Sequence, residues 1–237
     1  MSISELKEKV LESNLNLVKD NLVISTWGNV SGYDDETGLI GIKASGVPYD
    51  KLTLQHIVIM DINGKIQAGC EYRPSTDTPT HLMIYRKFKE DGIRGVTHTH
   101  SKFATMWAQS GLNIPCLGTT HADYFGGDIP CTRLMSKEEI NSNYEENTGK
   151  VILEAMEGKS CIKMSAVLVH SHAPFVWGKS PEESVLHSLV LEYIAEMAFD
   201  DYLLCNGTFK KIQPELAEKH YKRKFGPNAY YGQIKKD

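Results

Sequence analysis

The sequence predicts a single α/β domain built on a largely antiparallel sheet, and three observations carry that prediction. Short β-like apolar runs alternate with longer stretches of helical period. The early runs are joined by hairpin turns rather than by crossover helices. At 237 residues, with 41% hydrophobic and 24% charged content, the chain is long enough to bury a real core and ordinary for a globular α/β protein. No repeat, low-complexity segment or linker divides it, so one domain over residues 1–237 is expected.

The elements follow in order. Ser2-x-x-Glu5 is a capping box, and Leu11, Leu15, Val18 and Leu22 recur at helical spacing, which predicts an amphipathic first helix. Residues 21–31 turn β-like, and Asp34-Asp-Glu-Thr-Gly38 supplies a hairpin turn before Leu39-Ile-Gly-Ile42. Ile57 to Asp61 is a further strand, with Asn63-Gly64 as a two-residue turn into Lys65 to Ala68. Thr80 to Glu90 is helical behind a loop rich in Pro, Ser, Thr and Asp, and Ser101 to Ser110 is helical with Phe103, Met106 and Trp107 as core. Glu138 to Glu157 is a polar helical stretch broken by Asn and Gly, in which Glu145 and Glu146 read as solvated. Ser180-Pro181 with Glu182 and Glu183 caps a long helix to about Phe199, its core stripe read as Val185, Leu189, Ile194 and Met197, with His187 at its edge. Glu215 to Lys224 is a basic helix. Tyr230 and Tyr231 beyond it are expected to tie the tail down, as aromatic anchors or because one phenol serves a site.

Composition excludes several function classes. A formal charge of −4 leaves no footprint for nucleic acid, so small molecules are the expected partners. No apolar run approaches the roughly 20 residues of a membrane helix, and Glu5, Lys7, Glu8 and Lys9 stand where a signal peptide is apolar, so a cytoplasmic protein is expected. The five cysteines contain no C-x-x-C and read as reduced filler. Asn29-Val-Ser31 and Asn206-Gly-Thr208 match the glycosylation pattern by coincidence on this reading.

Chemistry concentrates at two triplets. His98-Thr-His100 ends one β-like run and His170-Ser-His172 ends another. The two-residue period of a strand puts both imidazoles of a triplet on one face, a compact way to offer nitrogen ligands to a divalent metal such as zinc. Three protein ligands are what a catalytic zinc needs, and spacing does not choose between His170 and His172. Lys43-Ala-Ser45-Gly46 holds the parts of an oxyanion site but also reads as a glycine turn after a strand. Ser75, Thr76 and Asp77 read as helix caps, or as phosphate-binding hydroxyls with a carboxylate for metal or proton transfer. His81 reads as a packing or surface residue. In Thr119-Thr-His-Ala-Asp123, Asp123 is either a solvated turn residue or a proton carrier.

These motifs together, Thr26-Trp-Gly-Asn-Val-Ser31, Lys43-x-Ser-Gly46, Pro74-Ser-Thr-Asp-Thr-Pro-Thr-His81, His98-Thr-His-Ser101, Thr119-Thr-His-Ala-Asp-Tyr-Phe125, Val169-His-Ser-His-x-Pro-Phe175 and Tyr230-Tyr-Gly-Gln233, resemble the class II aldolase and adducin-head family from end to end, and within it the L-ribulose-5-phosphate 4-epimerases. The resemblance implies a three-layer α/β/α sandwich around a mostly antiparallel central sheet, and a homotetramer with active sites between subunits. It implies one Zn2+ per subunit held by Asp77, His98, His100 and His172, with His170 in support. The phosphate of a sugar phosphate would meet Asn29, Lys43, Ser45, Gly46, Ser75 and Thr76, where Thr76 replaces the family's more common Ser. Asp123 and Tyr231, from different subunits, would be the acid/base pair, with Thr119, Glu145 and His220 as further site residues. The implied reaction is retro-aldol cleavage of C3–C4 and recombination, since the C4 hydrogen of L-ribulose 5-phosphate is not acidic; arabinose and ascorbate breakdown both use it. The alternatives are an aldolase of the fuculose- or rhamnulose-phosphate type, whose members carry Glu at the position of Asp77, and a non-catalytic adducin-like head, which needs no metal.

Overall fold

The computed structural model describes residues 1–231; Gly232 and Gln233 of the terminal motif lie outside the described residues. In chain order the elements are α1 (Ile3–Lys19), β1 (Asn29–Asp34), β2 (Leu39–Lys43), β3 (Ile57–Asp61), α2 (Thr78–Phe88), β4 (Gly95–His98), α3 (Lys102–Ser110), α4 (Thr119–Ala122), α5 (Lys137–Ile140), α6 (Tyr144–Ala155), β5 (Ala166–Leu168), β6 (Pro174–Gly178), α7 (Pro181–Leu204) and α8 (Pro214–Phe225). The six strands form one sheet in the order β3-β2-β1-β4-β6-β5, and every neighbouring pair is antiparallel.

Strand alternation sorts side chains to two helical layers. Ile40, Ile42, Val58 and Met60 point into the main core with Ile84, Tyr85 and Phe88 of α2, while Ile57 and Ile59 point to Leu6 and Val10 of α1. Val30 of β1 packs with Leu17 of α1 and Val185 of α7. The helices α1 and α7 therefore cover one face and α2 the other, giving an α/β/α sandwich. Gly95 is required where β4 passes under the start of α7, because a Cβ there would lie 2.1 Å from the carbonyl oxygen of Ser180.

Several sequence expectations are corrected. The capping box of α1 forms, but its buried face is Leu6, Val10, Asn14 and Leu17, with Val18 exposed. The reason is Asn14, a buried polar residue that bonds both Val30 N–H (2.9 Å) and Val30 C=O (3.0 Å) and so belongs to the stripe that apolar counting omits. Residues 22–24 form no strand; β1 starts at Asn29. The turn at Asn63-Gly64 forms, but its return arm pairs only through a bridge between Met60 and Ile66. The stretch Glu138 to Glu157 is two helices, α5 and α6. On α7, Val185 and Ile194 are buried as expected, whereas Leu189 and Met197 are 37% and 40% exposed. That helix is apolar on several sides, so periodicity does not mark its inner face. Among the described residues, no helix is long and apolar enough to cross a membrane.

Candidate active site

Strand register assembles the centre of the site. β4 lies between β1 and β6, so Asn29, His98 and Phe175 stand in one row across three strands. His98 is 1% exposed and its ring stacks on Phe175 at 4.2 Å between centroids. Its Nδ1–H donates to the carbonyl of Pro174 (2.9 Å), which leaves the lone pair on Nε2. That nitrogen lies 3.1 Å from Nε2 of His100. The ring centroids of His98, His100 and His172 form a near-equilateral triangle of 4.9, 4.9 and 5.1 Å. One nitrogen from each lies within 4.8 Å of the others. Two ligands of a tetrahedral zinc with bonds of about 2.0–2.1 Å stand about 3.3 Å apart, close to the Nε2 separation seen here.

The electrostatics suit a metal. Burial, reinforced by the neighbouring imidazoles, lowers His172 to about 3 and His100 to about 4, so both are neutral donors near pH 7. Asp77 occupies the N-cap position of α2 yet makes no capping bond. Its carboxylate instead accepts from the Asn29 amide (2.7 Å) and the Ser75 hydroxyl (3.3 Å). Burial is the largest influence on this carboxyl and opposes ionisation, but His98, His81 and the Asn29 amide outweigh it and hold Asp77 below its ordinary range. Asp77 is not one of the three groups that share the mutual 4.8 Å spacing. Nδ1 of His172 and Oδ1 of Asn29 are buried without a partner among the described residues, so the donor set has unmet capacity, and three converging imidazoles fit a divalent cation of the zinc type.

His170 and His172 diverge although they are two residues apart. The period-two rule fails because β5 ends at Leu168 and residues 169–172 form a turn, His172 N–H donating to the Val169 carbonyl (2.9 Å). His172 joins the triangle, while His170 bonds Ser171 Oγ through Nδ1 (2.8 Å). His81 is fully buried against Ser31 (2.7 Å), a packing residue as expected.

Beside the triad lies a buried lysine, Lys43 at the end of β2. Backbone bonds from Ser45 N to Arg73 O (3.0 Å) and from Ser75 N to Lys43 O (2.9 Å) zip residues 43–46 to residues 73–76. The Asn29 amide donates to Ser75 Oγ (3.1 Å). Lys43 is 2% exposed, its ammonium 5.0 Å from the Tyr49 ring centroid, and burial alone lowers it to about 8. Ser45, Gly46 and Thr76 are exposed at the rim.

A second cluster gathers Asp123, His220 and Tyr231. The Asp123 carboxylate accepts from His220 Nδ1 (3.0 Å) and from Arg223 Nε (3.0 Å) and Nη2 (2.7 Å). Burial works against its charge, but these bonds prevail and keep it below the usual carboxylate range. The Arg223 guanidinium lies 4.7 Å from the Tyr231 ring, and Tyr231 N–H donates to the Arg223 carbonyl (3.1 Å). Asp123 and Tyr231 of one chain thus both contact Arg223. Thr119 and Glu145 are half-buried, the first opening α4 and the second in the first turn of α6, where its carbonyl takes the Thr80 hydroxyl (2.6 Å).

Sequence reasoning missed four contributors. Arg223 is one of the cations of α8, and its spacing of three from His220 was the available signal. Trp27, 57% exposed with its ring 5.9 Å from His100, and Tyr144, 6.3 Å from His172, flank the triad. Glu192 of α7 caps α3 by accepting from Phe103 N–H (2.8 Å) and Ala104 N–H (2.9 Å), fixing the helix that follows His100. No local pattern announces that contact.

Comparison with known proteins places the same architecture in a family. Among solved structures, an L-fuculose 1-phosphate aldolase superposes with a TM-score of 0.74 at 25% identity, covering 94% of this chain and 97% of its own. A sugar-phosphate aldolase from Thermotoga maritima superposes at 0.66 with 22% identity, covering 87% and 97%, and an L-fuculose-1-phosphate aldolase from Thermus thermophilus at 0.63 with 20%, covering 86% and 98%. The model of the Class II Aldolase and Adducin N-terminal domain matches residues 8–199, a stretch that contains both histidine triplets and Lys43 but not α8. With six antiparallel strands converging three imidazoles at one point, the chain is a member of the class II aldolase and adducin N-terminal domain family.

Proposed function

We propose that this protein is a zinc-dependent L-ribulose-5-phosphate 4-epimerase, interconverting L-ribulose 5-phosphate and D-xylulose 5-phosphate by C3–C4 cleavage and recombination. The observation that carries the reading is the convergence of the imidazoles of His98, His100 and His172 beside a buried lysine that no carboxylate among the described residues neutralises. His98, His100 and His172, with Asp77 as the adjacent carboxylate, are the proposed zinc ligands. A bound zinc supplies Lewis-acid stabilisation of the negative charge that develops on the ketose oxygens as the carbon–carbon bond breaks.

The chain's own residues supply the rest. Lys43, with the amide of Asn29, the hydroxyls of Ser45, Ser75 and Thr76 and the backbone at Gly46, holds the phosphate, so the glycolaldehyde phosphate fragment stays bound while its aldehyde turns. Asp123 of one subunit and Tyr231 of its neighbour, at an active site between subunits, exchange the C4-hydroxyl proton, one accepting it on cleavage and the other returning one after attack on the opposite face. The Arg223 and His220 bonds keep Asp123 in its ionised, proton-accepting form. Thr119 and Glu145 are assigned to the remaining substrate hydroxyls. A homotetramer completes the proposal, supported by an apolar stripe of Leu186, Leu189, Tyr193 and Met197 left 37–57% exposed on α7.

A second reading, a sugar-phosphate aldolase, is favoured by the L-fuculose 1-phosphate aldolase that superposes at 25% identity. Asp77 argues for the epimerase: a carboxylate one methylene shorter than Glu stays with the histidines instead of reaching substrate as a base. Incubation with L-ribulose 5-phosphate separates the two. Xylulose 5-phosphate as sole product supports the epimerase, and accumulation of two smaller fragments overturns it in favour of the aldolase.

A further inference from the structure

The geometry points to Ser171, working with His170 and Gly111, as the positioning element that sets where His172 stands. The inference rests on the reading of the triad as a metal site. Ser171 has φ of +62°, a left-handed conformation unfavourable for serine, and it immediately precedes His172. Such a conformation persists only where the surroundings over-determine it, and three tethers do so. Ser171 N–H donates to the carbonyl of Ala108 (2.9 Å). Ser171 Oγ bonds Nδ1 of His170 (2.8 Å), and His170 N–H donates to Thr132 Oγ1 (2.9 Å).

A further partner is Gly111, which ends α3. A Cβ there would lie 2.2 Å from Nε2 of His170, so the imidazole rests directly on bare backbone. The helix α3 therefore has two duties: it starts two residues after His100, and its far end seats the turn that precedes His172. His170 is the spacer between them, which explains an imidazole next to the triad that does not join it. The strain at Ser171 is retained because it aims His172 at the other two rings.

The test compares Ser171→Gly and Ser171→Asn with wild type in the full-length protein. Zinc affinity is measured by competition with a chromophoric chelator, and the thermal midpoint of the zinc-free form by calorimetry. Glycine accepts the left-handed conformation freely but releases His170 and loosens the turn; asparagine tolerates that conformation and keeps a side-chain bond. The expected result for Ser171→Gly is an unchanged midpoint or one raised by about 1–4 °C, with zinc affinity weakened about tenfold or more. Ser171→Asn is expected to stay within about twofold of wild type, by the same tethering argument. A purely structural role would move midpoint and affinity together. Wild-type zinc affinity in Ser171→Gly overturns the positioning role while leaving the metal site intact. Failure of the wild-type protein itself to bind zinc overturns the metal reading, and this inference with it.

Discussion

Replacing Lys43 by Met is expected to stabilise the ligand-free protein while weakening its hold on phosphate. Lys43 is 2% exposed, and burial lowers its ammonium from 10.5 to about 8. At about 1.4 kcal/mol per pH unit, this difference is about 3 kcal/mol of disfavoured charge. That is an upper bound, since a lysine head relaxes toward water, and about 2 kcal/mol is a reasonable working value. The sign follows from linkage. A lysine whose folded value lies below its unfolded one gives up its proton on folding, so the penalty is full below about pH 8 and fades as pH rises to 10.5. Met has similar length and no charge to desolvate. The variant is therefore expected to melt about 4–8 °C higher than wild type at about pH 7, at about 2–4 °C per kcal/mol for a chain of this size, with the gap closing towards about pH 10.5. Loss of a charge-assisted bond worth about 1.5–3 kcal/mol should weaken phosphate binding about 10- to 150-fold. Calorimetry at both pH values, with and without inorganic phosphate, reads all of this. A variant less stable than wild type at neutral pH, a gap independent of pH, or equal protection of both proteins by phosphate would refute the reasoning.

Other outcomes follow from the same geometry. His98→Asn, which replaces a buried imidazole donor by an uncharged amide, is expected to cut zinc content and turnover severely, checked by elemental analysis and rate. Tyr231→Phe is expected to slow epimerisation about 10²-fold or more with unchanged melting and phosphate affinity, as for loss of a proton carrier; an unchanged rate would return Tyr231 to an anchoring role. Stability should fall as pH drops from about 6.5 towards about 4, because His81, His100, His121 and His172 are all held well below their unfolded value by burial and must charge on unfolding. A thermal midpoint flat across that window would contradict their neutrality. Asp123→Asn is expected to weaken the anchorage of α8, seen as faster amide exchange in residues 214–225, since it removes the carboxylate to which Arg223 and His220 both bond.

The parts of the fold that local chemistry dictates were legible in the sequence. The Ser2–Glu5 capping box, the turn at Asp34 to Gly38 and the Ser180-Pro181 cap are formed as read, because each is decided within a few residues. What failed depends on partners distant in sequence. Asn14 is buried because Val30 needs its amide, and Leu189 could be misread as core because α7 carries apolar residues on several sides and only some of them face the core. At the site, the residue types of both triplets pointed to a metal, yet choosing His172 over His170 needed a turn held by Ala108 and Thr132, which the period of a strand does not encode. Arg223 and Glu192 act across about 90–100 residues of chain, and no sequence window contains both ends of either contact.

The central claim is that His98, His100 and His172 hold one divalent cation, and metal stoichiometry tests it most directly. Protein stripped with a chelator and reloaded with zinc is expected to retain one equivalent per chain after desalting, and His98→Asn to retain none. Zinc-loaded wild-type protein that keeps no metal, or a His98→Asn variant that keeps a full equivalent, would contradict the account.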